Sequence, residues 1–344
     1  MALTMARNAA AAPSLHPVPE GVASPDGRWL FVPAAQGGLD AVAAASGELH
    51  WHRNDAALAL LADAARVLVL APMAPLAEGR WQPQWLSTDS GLPLAAADAA
   101  PPLPLPPLLG APGAWAITAS RWDGGQDGRL WLAWSARQFV AGRPSVAHGV
   151  LALDPAHLDR PAEPGTWPLP PAWPGAAGDG PFADAGPPLP PWALRLQTLA
   201  LAVRASADLG QRALVLLRAS AGEAAAASVL VDALPAAGWL QALPSPDPSL
   251  VTLLQSQADG SPPLWRLFSA PDGAALASVA AEDGLLPPFC RVGKLLLARQ
   301  LGTLAHKRAR PGRQLRAWQL GEAAGSALPL WQRALPEQSP WRLG

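Results

Sequence analysis

The feature that most limits what this chain can fold into is how briefly its apolar runs last. They fall at Trp29 to Val32, Val67 to Leu70, Leu130 to Trp134, Gly149 to Leu153, Leu194 to Val203, Ala213 to Leu217, Val229 to Val231, Leu250 to Leu254 and Lys294 to Ala298. Most are bounded within a few residues by Gly, Pro, Asp or Ser, which is the pattern of strands joined by tight turns. The strongest of them fall far below the ~20 apolar residues a membrane-spanning helix needs, so no membrane insertion is expected. Asp-Gly stands at Asp26-Gly27, Asp123-Gly124, Asp127-Gly128, Asp179-Gly180, Asp259-Gly260, Asp272-Gly273 and Asp283-Gly284. A type I′ turn requires positive φ at its central residues, which Asp and Gly tolerate, so several of these are predicted hairpin turns.

Composition supports an ordered chain rich in turns. Half of the 344 residues are hydrophobic and 15% are charged, enough apolar material for a core and too little charge for a disordered chain. The 41 prolines and 31 glycines favour many turns over long helices. A net charge of −1 gives no long-range attraction for nucleic acid or anionic lipid, so nucleic acid is not an expected partner. Lysine occurs only at Lys294 and Lys307 and tyrosine not at all, the bias of a GC-rich, bacterial type of genome, so abundant alanine is weak evidence for helix. This matters between Asn54 and Arg66. Leu58, Leu61 and Ala65 fall at helical spacing behind a possible Asn54 cap, but with alanine discounted the stretch reads as strand, turn, strand, with Leu58 to Leu61 and Val67 to Leu70 as the strands.

A single cysteine, Cys290, excludes an intrachain disulfide and any zinc site built from several thiolates. The first residues lack the apolar core of a secretory signal, which gives a cytoplasmic expectation. Residues 1–17 read as a flexible tail and 18–344 as one domain. Two proline-crowded stretches, 99–112 and 161–191, read as long surface loops within it.

Near the start stand Ser24-Pro25-Asp26-Gly27-Arg28-Trp29-Leu30-Phe31-Val32, then Gly37-Gly38-Leu39-Asp40-Ala41-Val42, then Ser46-Gly47-Glu48-Leu49-His50-Trp51. These predict three consecutive antiparallel strands, most of a propeller blade. A second copy lies at Leu315-Arg316-Ala317-Trp318-Gln319, Gly325 and Leu330-Trp331-Gln332-Arg333, and a partial third at Val150-Leu151-Ala152-Leu153-Asp154. Ser269-Ala270-Pro271-Asp272-Gly273 echoes the opening turn. The layout resembles the pyrroloquinoline-quinone-like (PQQ-like) propeller repeat: a small residue, an apolar residue and Asp, a turn with Gly, then an apolar residue and Trp. The match is clear at the two ends and faint between. The resemblance implies an all-β β-propeller, and blades of ~40–50 residues would give about seven four-stranded blades, six or eight also fitting the length. In that fold Trp51 and Trp331 would be structural, packed between neighbouring blades.

The resemblance also implies what is missing. Quinone-dependent members of the family are larger and exported and hold quinone and calcium with acidic and amide residues, some with vicinal cysteines. No such ligand cluster can be aligned here, so no cofactor is expected and the repeat is read as architecture alone. His50-Trp51-His52 places two imidazoles on one face of a strand, but two ligands are not a metal site, and two solvent-side histidines flanking a buried Trp are the expected reading. No Gly-x-Ser-x-Gly elbow occurs, and the pairs Gly37-Gly38 and Gly124-Gly125 lie in predicted hairpins with no helix to cradle phosphate, so no catalytic residues are assigned. Arg291, Lys294, Arg299, Lys307, Arg308, Arg310, Arg313 and Arg316 form a basic segment without an acidic residue. It is a candidate contact patch, against the alternative that strand alternation scatters these groups over two faces and a loop. The sequence thus leads to a non-catalytic protein-binding or assembly module whose partner is another protein. The alternative is a ligand-binding sensor or enzyme using the central channel.

Overall fold

The structure, a computed structural model, describes residues 15–336 apart from 74–79, 95–99, 106–114, 124–127, 141–142, 167–193, 197–198, 206–211, 219–225, 232–239, 244–246, 248, 258–259, 282–284, 302–311, 322–324 and 326. The described residues contain strands and turns and no helix. They form six sheets, in each of which every strand lies beside the next one in the chain. The first holds β1 (His16–Val18), β2 (Gly21–Ala23), β3 (Trp29–Pro33), β4 (Leu39–Ala43) and β5 (Leu49–Arg53). The second holds β6 (Leu58–Ala62), β7 (Arg66–Pro72) and β8 (Trp81–Ser87), and the third β9 (Trp115–Asp123), β10 (Arg129–Val140), β11 (Arg143–Leu153) and β12 (Glu163–Pro164). The fourth is β13 (Leu194–Leu196), β14 (Leu199–Ala205), β15 (Arg212–Arg218) and β16 (Ala226–Val231). The fifth is β17 (Leu240–Leu243), β18 (Leu250–Gln255), β19 (Leu264–Ser269) and β20 (Ala275–Ala280). The sixth is β21 (Leu285–Val292), β22 (Leu295–Gln300), β23 (Gln314–Leu320) and β24 (Ala327–Ala334).

The chain divides into two compact units. One takes the described residues up to 166 with 312–315 and 331–336, the other those from 194 to 301 with 316–330. In the first unit β6 is buried along its whole length and β3 and β7 along most of theirs, because apolar side chains cover both faces. That is why their sequences are continuous apolar runs and not alternating ones. Leu58, Leu60, Leu68, Leu130 and Leu132 gather in one cluster, and Phe31, Leu39, Trp51, Val67 and Leu86 in a second. In the second unit Leu250, Trp265, Leu267, Phe289, Leu296 and Trp318 form the core, with the Trp265 and Phe289 rings 5.5 Å apart.

Asn54 to Arg66 folds as strand, turn, strand, and the first sheet contains the three strands expected between Trp29 and Trp51. Not every sheet is four-stranded. The first gains β1 through a Pro19-Glu20 turn, so the chain is already ordered at His16, inside the stretch read as a tail. In the second, among the described residues, β8 is followed by an isolated bridge between Leu86 and Pro93. The proline-crowded stretches contain ordered pieces too: Leu103 is buried, and Glu163–Pro164 pairs with β11. The Asp-Gly turns also differ from expectation. Gly27 and Gly273 have φ of 71° and 74°, but Glu20 is the only described non-glycine with positive φ, so Asp26 and Asp272 are not in the type I′ conformation. Asp serves instead by accepting backbone amides: Asp272 Oδ1 accepts the Ala274 N–H at 3.0 Å. Asp123 ends β9, paired with Arg129, and Asp127, Asp179, Asp259 and Asp283 lie outside the described residues.

The sheets repeat one hydrogen-bond pattern. An acid opens the turn before the second or third strand and accepts the amide two residues on: Asp26 from Arg28 at 3.0 Å, Asp63 from Ala65 at 2.9 Å, Asp247 from Ser249 at 2.9 Å. The carbonyl of that second residue then accepts an amide from a later turn of its own sheet, Arg28 from Ala44, Ala65 from Thr88 and Ser249 from Ala270, at 2.8–2.9 Å. Lys294 accepts from Leu320 in the same way at 2.8 Å. The later turn closes on a glycine with positive φ, Gly47, Gly91 or Gly273, whose amide returns to Ala43, Ser87 or Ser269 at 2.8–2.9 Å.

A tryptophan sits on two of these glycine turns. Trp331 Nε1 donates to the Ala44 carbonyl at 2.9 Å and its ring covers Gly47; Trp51 Nε1 donates to the Thr88 carbonyl at 2.8 Å and its ring covers Gly91. A Cβ on Gly47 would lie 2.7 Å from Trp331, and one on Gly91 2.8 Å from Trp51. Gly47→Ala should therefore cost about 2–4 kcal/mol, combining left-handed backbone strain with displacement of the indole. Gly293→Ala, at φ 58° with nothing within 4 Å of the new Cβ, should cost only about 1–2 kcal/mol. Denaturant melts of the two variants check this, and equal losses would contradict the packing of Trp331 on Gly47.

Candidate functional site around Asp40

A group of polar side chains in the first unit, His52, Asn54 and Arg333, is centred on Asp40. The β4–β5 hairpin pairs Asp40 with His52 directly across the ladder, so the two side chains share a face. Asp40 is 1% exposed, and an isolated carboxylate at that depth would be costly. Two cations hold it: His52 Nδ1 lies 2.7 Å from Oδ1, and the Arg333 guanidinium pairs with Oδ2. His52 Nε2 in turn lies 2.7 Å from Asn54 Oδ1. With an acceptor at each ring nitrogen, the form that satisfies both is the imidazolium. The Asn54 hydrogen bond and then Asp40 raise the His52 pKa above its usual 6.5, outweighing partial burial and the nearby Arg333 charge, which lower it. An imidazole committed on both sides has no free lone pair for general-base chemistry, so the arrangement suits holding β24 to the first sheet.

A second pair lies in the same unit. Glu20, 2% exposed at the tip of the β1–β2 hairpin, pairs with the Arg313 guanidinium, and the Arg313 carbonyl accepts the Leu335 N–H at 2.7 Å. Glu20 has φ 71°, a conformation that costs an L-residue roughly 1–2 kcal/mol. Pro19 before it fixes the preceding φ, which together give the φ signature of a type II turn.

The residues singled out from the sequence are dispersed. Arg291 near the end of β21 and Lys294 in the Gly293-Lys294 turn are exposed, and the Arg291 N–H donates to Asp247 Oδ2 at 2.8 Å. Arg299 and Arg316 flank Gln300: burial lowers the Arg299 pKa, and Arg316 donates to Gln300 Oε1 at 3.1 Å with its guanidinium 5.0 Å from the Trp318 ring centre. Arg313 is taken by Glu20. Lys307, Arg308 and Arg310 lie outside the described residues. His50 and His52 do not converge. His50 stacks on Trp29 at 4.1 Å and its Nε2 meets the Asp89 carbonyl at 2.7 Å, while His52 turns to Asp40, so it is not a free solvent-side histidine. Cys290 is fully buried, and burial followed by the Asp247 charge pushes its thiol pKa well up, away from thiolate chemistry.

Sequence alone places Asp40 and Arg333 within the repeat copies without giving either a role in a site, and does not reach Glu20. Asp40 with His52 could have been found, since a hairpin turning at Ala43 to Glu48 places them opposite one another. Arg333 lies 293 residues from Asp40 and carries no local signal.

No family model matches the chain, and no curated protein matches it. Among solved structures it is similar to the AtxE2 isopeptidase, with a TM-score of 0.37 and 13% identity over 96% of this chain and 54% of that one. It is also similar to the computationally designed protein Ika8, with a TM-score of 0.30 and 10% identity over 91% and 86%. A eukaryotic initiation factor gives a TM-score of 0.30 and 11% identity over 95% and 91%. The chain spans about half the length of the isopeptidase. Likenesses this distant carry no argument about fold or activity.

The raised His52 pKa fixes the sign of a pH effect. The proton is held more tightly in the folded state, so the stabilisation is fully present below the usual 6.5 and is lost as pH rises through the folded value. From about pH 6 to pH 8 the melting temperature of the parent should fall more steeply than that of His52→Gln. Parallel curves would contradict the Asp40–His52–Asn54 geometry.

Proposed function

We propose that the chain is a non-catalytic protein-binding module built on a PQQ-like β-propeller, with each sheet a blade. The repeated turn pattern and the two tryptophans seated on glycine turns support the propeller reading, because a structure made of equivalent units should repeat its internal hydrogen bonds. The employment of the buried acids supports the non-catalytic reading: Arg333 and His52 hold Asp40, Arg313 holds Glu20, and Asp63 and Asp247 accept backbone amides. Groups so committed stabilise turns and sheets and are not poised for proton transfer.

The observation that carries the protein-binding role is a set of leucines left in solvent at sheet ends. Leu49 on β5 is 50% exposed, Leu92 and Leu94 beyond β8 are 59% and 50% exposed, and Leu328 and Leu330 on β24 are 65% and 43% exposed. The tripeptide Leu-Pro-Leu, which packs into the core at Leu103-Pro104-Leu105, stands in solvent at Leu92-Pro93-Leu94 and Leu328-Pro329-Leu330. Its proline guards the sheet edge against strand addition, while its leucines, two apart, offer apolar contact on one face. Large side chains kept in water at guarded edges suit a partner's apolar surface.

Leu92→Asp with Leu94→Asp should leave stability within about 1 kcal/mol, since both residues are exposed. It should reduce retention of a co-purifying protein at least roughly tenfold, as burial of two leucines implies. Quantitative co-purification from the source cells, parent beside variant, is the check. Equal retention by the two would contradict this contact surface.

A further inference from the structure

The indoles of Trp51, Trp85 and Trp331 each donate to a turn carbonyl. Trp265 departs from that rule. It is 5% exposed, and no protein atom accepts its Nε1–H. Thr252, 1% exposed, has a hydroxyl that meets no hydrogen-bonding group of the protein either. Buried N–H and O–H groups almost always have a partner, in protein or in ordered water, because taking them out of solvent without one is costly.

The ladder brings the two together. β18 and β19 pair Thr252 with Leu267 and Leu254 with Trp265 in an unbroken register. Side chains alternate along a strand, so all four share one face of the fifth sheet, with Thr252 and Trp265 as diagonal neighbours. Such neighbours stand ~7–8 Å apart, within reach of an aromatic side chain. This is the face that packs with Phe289, Leu296 and Trp318 of the sixth sheet.

The sixth sheet is interrupted beside them. Leu286 pairs with Arg299 and Cys290 with Leu297, so Pro287, Pro288 and Phe289 of β21 stand opposite Ala298 alone. A bulge of this size breaks the ladder, and its two prolines bring carbonyls without N–H groups. Phe289 belongs to the bulge, with its ring 5.5 Å from that of Trp265 and 6.5 Å from that of Trp318. Two side-chain donors without an acceptor therefore adjoin a stretch of backbone richer in acceptors than in donors.

We propose that Thr252 and Trp265 together hold one internal water molecule, which accepts the indole N–H and shares a hydrogen bond with the Thr252 hydroxyl. This is independent of the protein-binding reading. The chemistry of the site selects its guest. An indole nitrogen only donates, so a cation finds no ligand there. An anion would lie among Leu250, Leu267, Leu296 and Phe289, a setting that penalises an unpaired charge. Water is neutral and small, and it both accepts and donates, as a site with two to four polar partners requires. For Trp265 it takes the place that a turn carbonyl has for Trp51 and Trp331.

The test is a crystal structure of the full-length protein at a resolution that shows ordered water, joined to a melting cycle in solution. The expected result is a density peak within ~3.2 Å of both Trp265 Nε1 and Thr252 Oγ1. Thr252→Val keeps the shape of the side chain and removes the hydroxyl, so its melting temperature should fall by roughly 2–4 °C. A hydroxyl without a partner predicts the reverse, since its loss would leave stability unchanged or raise it. Trp265→Phe and the double variant complete the cycle. One shared water is lost with either change, so the double variant should fall by less than the two single falls added together. A peak touching only one of the two atoms, no peak, a Thr252→Val protein that melts at or above the parent, or additive falls each overturns the shared site.

Discussion

The first unit depends on a carbonyl that must not be buried alone. Ala44, Thr88 and Pro155 follow the ends of β4, β8 and β11, and all three residues are buried. Each receives an indole N–H, from Trp331, Trp51 and Trp85, at 2.8–2.9 Å. An unpaired buried carbonyl costs roughly 1–3 kcal/mol, so each indole both satisfies a turn and fixes one sheet against another. The ring adds packing, and in two cases it sets the sequence of the turn beneath: Gly47 and Gly91 have no room for a Cβ. Turn, glycine and tryptophan therefore form one unit of structure.

Charge secures what the indoles position. Asp40 and Glu20 are buried acids on the first sheet, and both are met by arginines from the far end of the chain, Arg333 and Arg313. Such pairs add little when compared with an apolar contact of the same volume, but removing one partner leaves a buried charge and is strongly destabilising. They act as a registration device, since β24 can lie in only one place if Trp331, Arg333 and Leu335 are all to find their partners. His52 adds a third charge to the Asp40 site, which makes the stability of this seam sensitive to pH near neutrality.

The strand content was legible because it rests on local signals. Continuous apolar runs such as Val67 to Leu70, bounded by turn residues, became strands buried on both faces. Leu58 to Arg66 became a hairpin once alanine was discounted. The conformation of the Asp-Gly turns was misread because asparaginyl and aspartyl turns can be closed by side-chain acceptance as well as by positive φ, and the dipeptide alone does not distinguish the two. The site was legible only within its hairpin. Asp40 and His52 follow from register arithmetic, whereas Arg333 and the Glu20–Arg313 pair depend on contacts across nearly the whole chain. The basic segment illustrates the same limit: a run of cations in sequence says nothing of partners, and Arg313 and Arg316 part to Glu20 and Gln300.

The central claim, that indole donors to buried turn carbonyls hold the first unit together, is tested most directly by hydrogen exchange at the indoles themselves. In protein labelled with 15N-tryptophan, the Nε1 protons of Trp51 and Trp331 are assigned from the Trp51→Phe and Trp331→Phe spectra and followed in deuterated buffer. The account predicts that both exchange at least roughly a hundredfold more slowly than a solvent-exposed indole, because release requires opening of the docked turn. Exchange of either proton at the exposed rate in a folded protein would contradict it.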